Sequence, residues 1–237
     1  MKGNLLYEGK AKQVFKVKDN ETQLVLSYKN DATAFNGQKK ASFTGKGKYN
    51  NLISAKVFEY LLEKGINSHY KRALNDTEQL VEKTTIVPIE VVVRNIAAGS
   101  ITRRLGIAEK TVFASPLVEL YYKKDELDDP IINDQHVFIL TDATELELKQ
   151  IKAIALNVNT HLKEFFTGVN LTLVDFKLEF GRDALGNIIL SDEISPDTCR
   201  LWDKDTGEKM DKDVFREDTG DLLEVYDKIL KRLEAVK

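Results

Sequence analysis

The sharpest pattern in the chain lies at residues 171–180, where apolar and polar positions alternate. Successive side chains of a strand point to opposite faces. Val174, Phe176, Leu178 and Phe180 therefore share a core face, and Asp175, Lys177 and Glu179 share a wet one. Residues 183–186 supply a hairpin loop, and residues 188–190 return as a second strand. With that loop, Arg182 pairs with Asn187, and Asp192 comes to lie beside Lys177 and Glu179. Further β-rich runs are 5–8, 13–17, 23–28, 69–73, 79–83 and 86–94, the first of them punctuated by Gly9 and Asp19-Asn20. Tyr49, Leu52, Ile53, Val57, Tyr60 and Leu61 recur at helical spacing ahead of Gly65. A second helix shows Leu148, Ile151, Ala155, Val158, Leu162 and Phe165 on one face, with Asp142 or Thr144 as cap and Gly168 as stop. A closing helix carries Leu222, Tyr226, Ile229 and Leu233, and Asp221 suits its N-cap. Antiparallel strand pairs with interspersed helices predict an α+β fold. A boundary near residue 85 would divide a β-rich lobe (1–85) from a larger α+β lobe with an antiparallel sheet (86–237).

Composition narrows the function classes. The 237 residues hold 35 Lys+Arg against 38 Asp+Glu, a net charge of −3. That balance argues against a dedicated nucleic-acid binder, which shows a basic excess, and leaves room for a local basic pocket. The single cysteine, Cys199, can form neither an internal disulfide nor a Cys-rich zinc site. No apolar run approaches the roughly 18 residues of a membrane span, and residues 1–8 do not read as a signal peptide. The expectation is a cytoplasmic protein with no membrane partner. His69, His136 and His161 are scattered and read as packing or surface residues. Gly181 and Gly186 have the glycine spacing of a phosphate-binding loop, but Asn187 stands where its lysine would be.

Four stretches carry candidate chemistry. Glu179, Asp192 and Lys177 on one wet face suit a Mg²⁺-nucleotide site, since magnesium takes one or two carboxylates plus substrate phosphates. An ordinary half-buried hairpin shows the same alternation. Glu90 and Arg94 share a face, and the small residues of 95–100, ending in Ser100, free backbone N–H groups for an anion. Residues 7–12 form a glycine-containing turn with Lys10 and Lys12, either a cover for phosphates or an exposed basic hairpin. In 195–202, Asp197 and Arg200 either bind substrate or pair with each other.

Together with residues 32–37, these blocks run in order over nearly the whole chain and closely resemble the SAICAR synthetase family of purine biosynthesis. The resemblance implies a two-lobed fold with a kinase-like N-terminal lobe, and commonly a homodimer. It also implies an ATP-dependent ligase that joins carboxyaminoimidazole ribonucleotide (CAIR) to L-aspartate, releasing ADP and phosphate. Carried over by position, Lys10, Ala11 and Lys12 correspond to a phosphate-covering hairpin and Lys123 to a nucleotide contact. Glu179 and Asp192 correspond to Mg²⁺-nucleotide ligands, and Arg94, Ser100 and Arg200 to a ribonucleotide-phosphate clamp. Asp175 and Lys177 correspond to catalytic contacts near the reacting carboxylate, and Asn36 to a substrate-loop residue. Residues 211–213 and Arg216 lie in a further matching block. Gly220-Asp221 departs from the family's Gly-Gly. Cys199, next to Arg200, would lie near the substrate. A small-molecule kinase and a nucleotide-binding regulator without turnover are the alternative readings.

Overall fold

Residues 2–34 and 37–235 are described here by a computed structural model. Asn36 lies outside the described residues. The first half runs β1 (Lys2–Glu8), β2 (Lys12–Val17), β3 (Asn20–Tyr28), β4 (Asp31–Ala34), β5 (Lys39–Ser42), α1 (Lys46–Glu63), β6 (Tyr70–Asn75) and β7 (Glu78–Glu82). The rest runs β8 (Thr85–Ile96), α2 (Ser100–Leu105), β9 (Val112–Tyr122), β10 (Ile131–Ile132), α3 (Asp134–Leu140) and α4 (Glu145–Gly168). It closes with β11 (Leu171–Arg182), β12 (Ile188–Ser191), β13 (Cys199–Asp203), α5 (Asp213–Arg216) and α6 (Leu222–Ala235).

The mixed α/β architecture with antiparallel sheets follows the expected pattern. A five-stranded sheet has the order β1-β2-β3-β7-β6, and a six-stranded one the order β10-β9-β8-β11-β12, with β13 also paired to β11. The alternating apolar faces of β8 and β11 meet α4 through Ile89, Val91, Phe176 and Leu178 against Ile151, Val158 and Leu162. Phe58 and Leu61 of α1 belong to the same cluster, so the buried core is continuous across residue 85. Phe166, rather than Phe165, completes the buried face of α4.

Two local details differ from the alternation. Pairing of β11 with β13 slips between Leu173 and Asp175, a bulge that places an extra residue on one strand. Val174 consequently packs with Ala98 and Trp202, apart from the main core. The β11–β12 hairpin pairs Arg182 with Ile188 and Glu179 with Ser191, one residue off the expected register. The cause is Asp183, whose carboxylate accepts the N–H groups of Leu185 and Asn187, both at 2.8 Å, and draws Asn187 into a longer loop. A one-residue slip alone would turn Asp192 to the opposite face. Instead the chain leaves the strand after Ser191, and Asp192 takes φ 63°, which returns its carboxylate to 3.8 Å from Lys177. Gly181 lies on this crowded face too: a Cβ there would stand 2.6 Å from Thr84 Oγ1.

Thr144, not Asp142, caps α4, in a reciprocal box with Glu147. Asp142 and Glu147 both bind Arg182 of β11, at 3.1 and 2.5 Å, which fastens the helix start to the end of the central strand. Asp221 caps α6 through the N–H groups of Leu223 and Glu224. Thr144→Ala should cost about 1 kcal/mol of stability in urea denaturation. The Arg182 contact, against burial, holds the Glu147 carboxyl down to about 2 from an ordinary 4.5. Its contribution is therefore present above pH 4.5 and lost as pH falls through 2. Glu147→Gln should flatten the acid limb of the stability profile over that window.

Candidate active site

Strand pairing on the wet face of the large sheet sets Glu179 directly opposite Glu90, and Asp175 opposite Arg94. Two like charges opposed across a ladder repel, so the first pair requires a cation. Lys177 provides it, with Nζ 2.7 Å from Glu179 Oε1 and 2.8 Å from Glu90 Oε1. Lys123, just beyond β9, adds a contact of 2.8 Å to Glu179. Lys12 reaches across from β2 to Asp192 and to Glu193, the latter at 2.8 Å. Four carboxylates thus surround three ammonium groups. Burial would lower the pKa of Lys177, but Glu179, Glu90 and Asp192 outweigh it and hold the group well above the ordinary lysine range. Burial would likewise raise that of Asp192, and Lys12 and Lys177 hold it below the usual carboxylate range.

This donor set fits a small divalent cation. Oxygens of Glu179, Glu90 and Asp192 already converge within 4 Å on one positive centre, the Lys177 ammonium. Hard carboxylate oxygens suit Mg²⁺, and two such ligands leave places for phosphate oxygens. No group of three or more His, Cys, Asp or Glu side chains poised around a metal occurs among the described residues.

The neighbouring half of the face is an arginine–carboxylate lattice. Arg94, 3% exposed, donates to Glu119 at 2.7 Å, to Asp175 at 2.6 Å and to Ser100 at 3.2 Å. Arg200 shares Asp175 at 3.0 Å and binds Asp213 at 2.7 Å. Its guanidinium lies against Gly99, where a Cβ would meet Nη2 at 2.5 Å. Only glycine admits that approach, and its φ of 66° is one that L side chains rarely adopt. Arg104 also binds Glu119.

A loop joins the halves. The Asp192 carbonyl accepts from His69 Nε2 at 2.8 Å. Burial pushes the His69 pKa down to about 4, keeping the ring neutral with its proton on that nitrogen. The N–H of Ile194 reaches Ser54 Oγ, and Asp197 binds Lys46 at 2.5 Å and the Tyr226 hydroxyl at 2.5 Å.

The structure therefore gathers Lys12, Lys123, Lys177, Glu179 and Asp192 into one group and Arg94, Ser100, Asp175 and Arg200 into its neighbour. Lys10 stays outside both, paired with Asp125 at 2.9 Å. Ala11 fixes the hairpin base, its carbonyl accepting from the Lys29 N–H at 2.8 Å. Asp197 and Arg200 do not pair with each other; each has other partners. Cys199 is buried in the main core, on the β13 side opposite Arg200, and burial pushes its thiol above the ordinary range. It is therefore a packing residue and no reporter of the substrate site. Sequence reasoning missed Glu193, Glu119 and Lys46, and placed Asp213 in a matching block without giving it a role. The Glu119/Tyr121 alternation in β9 was a signal for the second of these.

Saturation of Arg94 alters what its removal should do. Arg94→Met would leave Asp175 and Glu119 buried with reduced counter-charge. Breaking a buried pair in this way costs about 3–5 kcal/mol, so chemical denaturation should show a large loss. A replacement at exposed Arg103 should stay within about 0.5 kcal/mol.

Similarity to known proteins matches this architecture. A family model described as SAICAR synthetase matches residues 5–233. A phosphoribosylaminoimidazole-succinocarboxamide synthase of Oceanobacillus iheyensis is 61% identical over 235 residues, covering 99% of each chain. The crystal structure of the synthase from Ehrlichia chaffeensis has a TM-score of 0.95 at 45% identity, covering 99% of this chain and 100% of that one. A SAICAR synthetase structure in complex with ADP has a TM-score of 0.94 at 48% identity, covering 98% of both chains. The chain belongs to the SAICAR synthetase family of enzymes.

Proposed function

We propose that this enzyme joins CAIR to L-aspartate at the expense of ATP, giving SAICAR, ADP and phosphate. The observation that carries the reading is the pairing of a cation-ready carboxylate group with an arginine lattice on one sheet face, within a chain that matches the family along its full length. An amine does not displace oxide from a carboxylate, because the carboxylate is anionic and lacks a leaving group. In the proposed sequence a CAIR carboxylate oxygen bonds to the γ-phosphorus as the bond to ADP breaks. The aspartate nitrogen then bonds to the acyl carbon, the C–O bond to phosphate breaks, and the amine sheds its protons to solvent.

Each group of residues has a task in that scheme. Glu179 and Asp192 hold Mg²⁺, which when bound spreads the charge of the transferring phosphoryl group. Lys12 and Lys123 steady the nucleotide phosphates, and Ala11 keeps the hairpin carrying Lys10 and Lys12 over them. Lys177 and Asp175 position the reacting carboxylate, Lys177 by charge and Asp175 through the arginines it aligns. Arg94, Ser100 and Arg200 form the ribonucleotide-phosphate end, with Gly99 allowing close approach. Asn36 contributes from the substrate loop. Residues 1–85 act as the covering lobe and 86–237 as the lobe that presents the carboxylates. Positioning anionic substrates against their mutual repulsion accounts for most of the work.

The test is ADP release measured with CAIR, L-aspartate or ATP omitted in turn, with SAICAR identified by mass. Release that needs all three supports the ligase; release without aspartate, with phosphate retained on the product, would assign a kinase. Glu179→Gln and Asp192→Asn should each lower turnover by about 10²–10³-fold or more, with unchanged circular dichroism. Chelation of divalent cations should stop turnover, and added Mg²⁺ should restore it.

A further inference from the structure

Asp192 comes back to the face of Glu179 and Lys177 because its backbone turns left-handed, at φ 63°. Residues other than glycine rarely adopt that conformation, and it persists where the surroundings hold it. A carboxylate carried on such a turn needs a fastening close by. The fastening lies on a residue with no task in the reaction scheme, His69.

His69 grips the chain at two points, either side of Ser191. Its backbone N–H donates to the Leu190 carbonyl at 2.8 Å, and its ring Nε2 meets the Asp192 carbonyl, also at 2.8 Å. A carbonyl oxygen only accepts, so that ring nitrogen carries the proton. The Leu190 N–H in turn donates to the Asn67 carbonyl at 3.2 Å, and Ser68 bridges Leu190 in parallel. These backbone contacts fix the end of β12 whatever side chain stands at position 69. The ring alone reaches past the strand, to the residue where the chain turns.

The ring is itself held in place. His69 is buried, and Phe58 of α1 meets it edge-on with ring centroids 5.8 Å apart. The His69 carbonyl accepts from the Glu82 N–H at 2.6 Å, at the end of β7. Strand β7 belongs to the five-stranded sheet, whose β2 sends Lys12 to the Asp192 carboxylate. One sheet thus holds Asp192 by both ends, its carboxylate through Lys12 and its carbonyl through His69. Phosphates would compete for the Lys12 ammonium, but not for the bond from the His69 ring.

We infer that His69 is a positioning residue for Asp192: its ring N–H holds the turn that presents the Asp192 carboxylate to Mg²⁺ beside Glu179. The inference rests on the metal role proposed above for Asp192. The experiment is calorimetric titration with ADP, at stepped Mg²⁺ concentrations and once in EDTA, of the full chain and its His69→Leu, His69→Gln and Asp192→Asn variants. The quantity read is the Mg²⁺ concentration at which half of the metal-dependent gain in ADP affinity appears. Loss of the outer partner of a metal ligand should raise it by about ten- to a hundredfold in His69→Leu, with ADP affinity in EDTA unchanged. His69→Gln, whose amide Nε2 stands at the depth of the lost ring nitrogen, should recover most of the difference. An unshifted Mg²⁺ requirement in His69→Leu, or ADP affinity weakened equally in EDTA, would overturn the inference and leave His69 as a packing residue. Should His69→Leu not fold, His69→Asn takes its place. Its shorter amide stops short of the carbonyl, so equal Mg²⁺ requirements in the Asn and Gln variants would also overturn the inference. An Asp192→Asn variant that kept the parent's Mg²⁺ requirement would instead remove the metal role on which the inference stands.

Discussion

Two glutamates face each other across adjacent strands in the middle of the largest sheet. Glu90 and Glu179 are held opposite one another by backbone register, fixed by apolar neighbours such as Val91 and Leu178 on the other face. The repulsion is answered by Lys177 from the same strand and Lys123 from beyond the next. The hydrophobic face sets the register, the register sets the electrostatic problem, and its solution is a centre adapted to positive charge. The carboxylate oxygens are thereby drawn together around one positive centre before any ligand is bound.

Much of this was legible in the residue order, and the failures have identifiable causes. The alternation along β11 correctly separated Phe176, Leu178 and Phe180 from Asp175, Lys177 and Glu179. It could not reveal the bulge that redirected Val174, because a bulge is a relation between two strands. The hairpin register failed at Asp183, whose side-chain hydrogen bonds lengthened the loop. Asp192 still reached its neighbours, through a left-handed backbone turn that no period-two argument contains. Strands β9 and β13 escaped notice because their cues are weak: one contains Pro116 and many exposed residues, the other spans only Cys199–Asp203. Glu119 was lost with β9, and Asp213, although placed in a matching block, had no role assigned because its partner Arg200 lies on the unrecognised β13.

The arginine lattice shows why stability and chemistry are hard to separate here. Asp175 is shared by Arg94 and Arg200, and Asp213 by Arg200 and Arg216. Each guanidinium is aligned by carboxylates before any ligand arrives, which lowers the ordering cost of binding an oxyanion. The same sharing means that a change at one arginine leaves charges stranded at its neighbours. A fall in activity on substitution therefore mixes lost binding with a disturbed scaffold, whereas residues outside the shared pairs give cleaner readings.

The loop 192–197 is anchored by residues far away in the chain: Lys12 lies 180 positions from Asp192, and Lys46 lies 151 from Asp197. During synthesis, the amino-terminal lysines emerge long before the carboxylates they will meet. A chain made only as far as β7 contains every strand of the first sheet, yet it lacks the carboxylates beneath its hairpin. Assembly of this carboxylate–lysine centre thus becomes a late property of the molecule, one that reports completion of the whole fold, and any ligand that binds only this state would draw the final assembly forward.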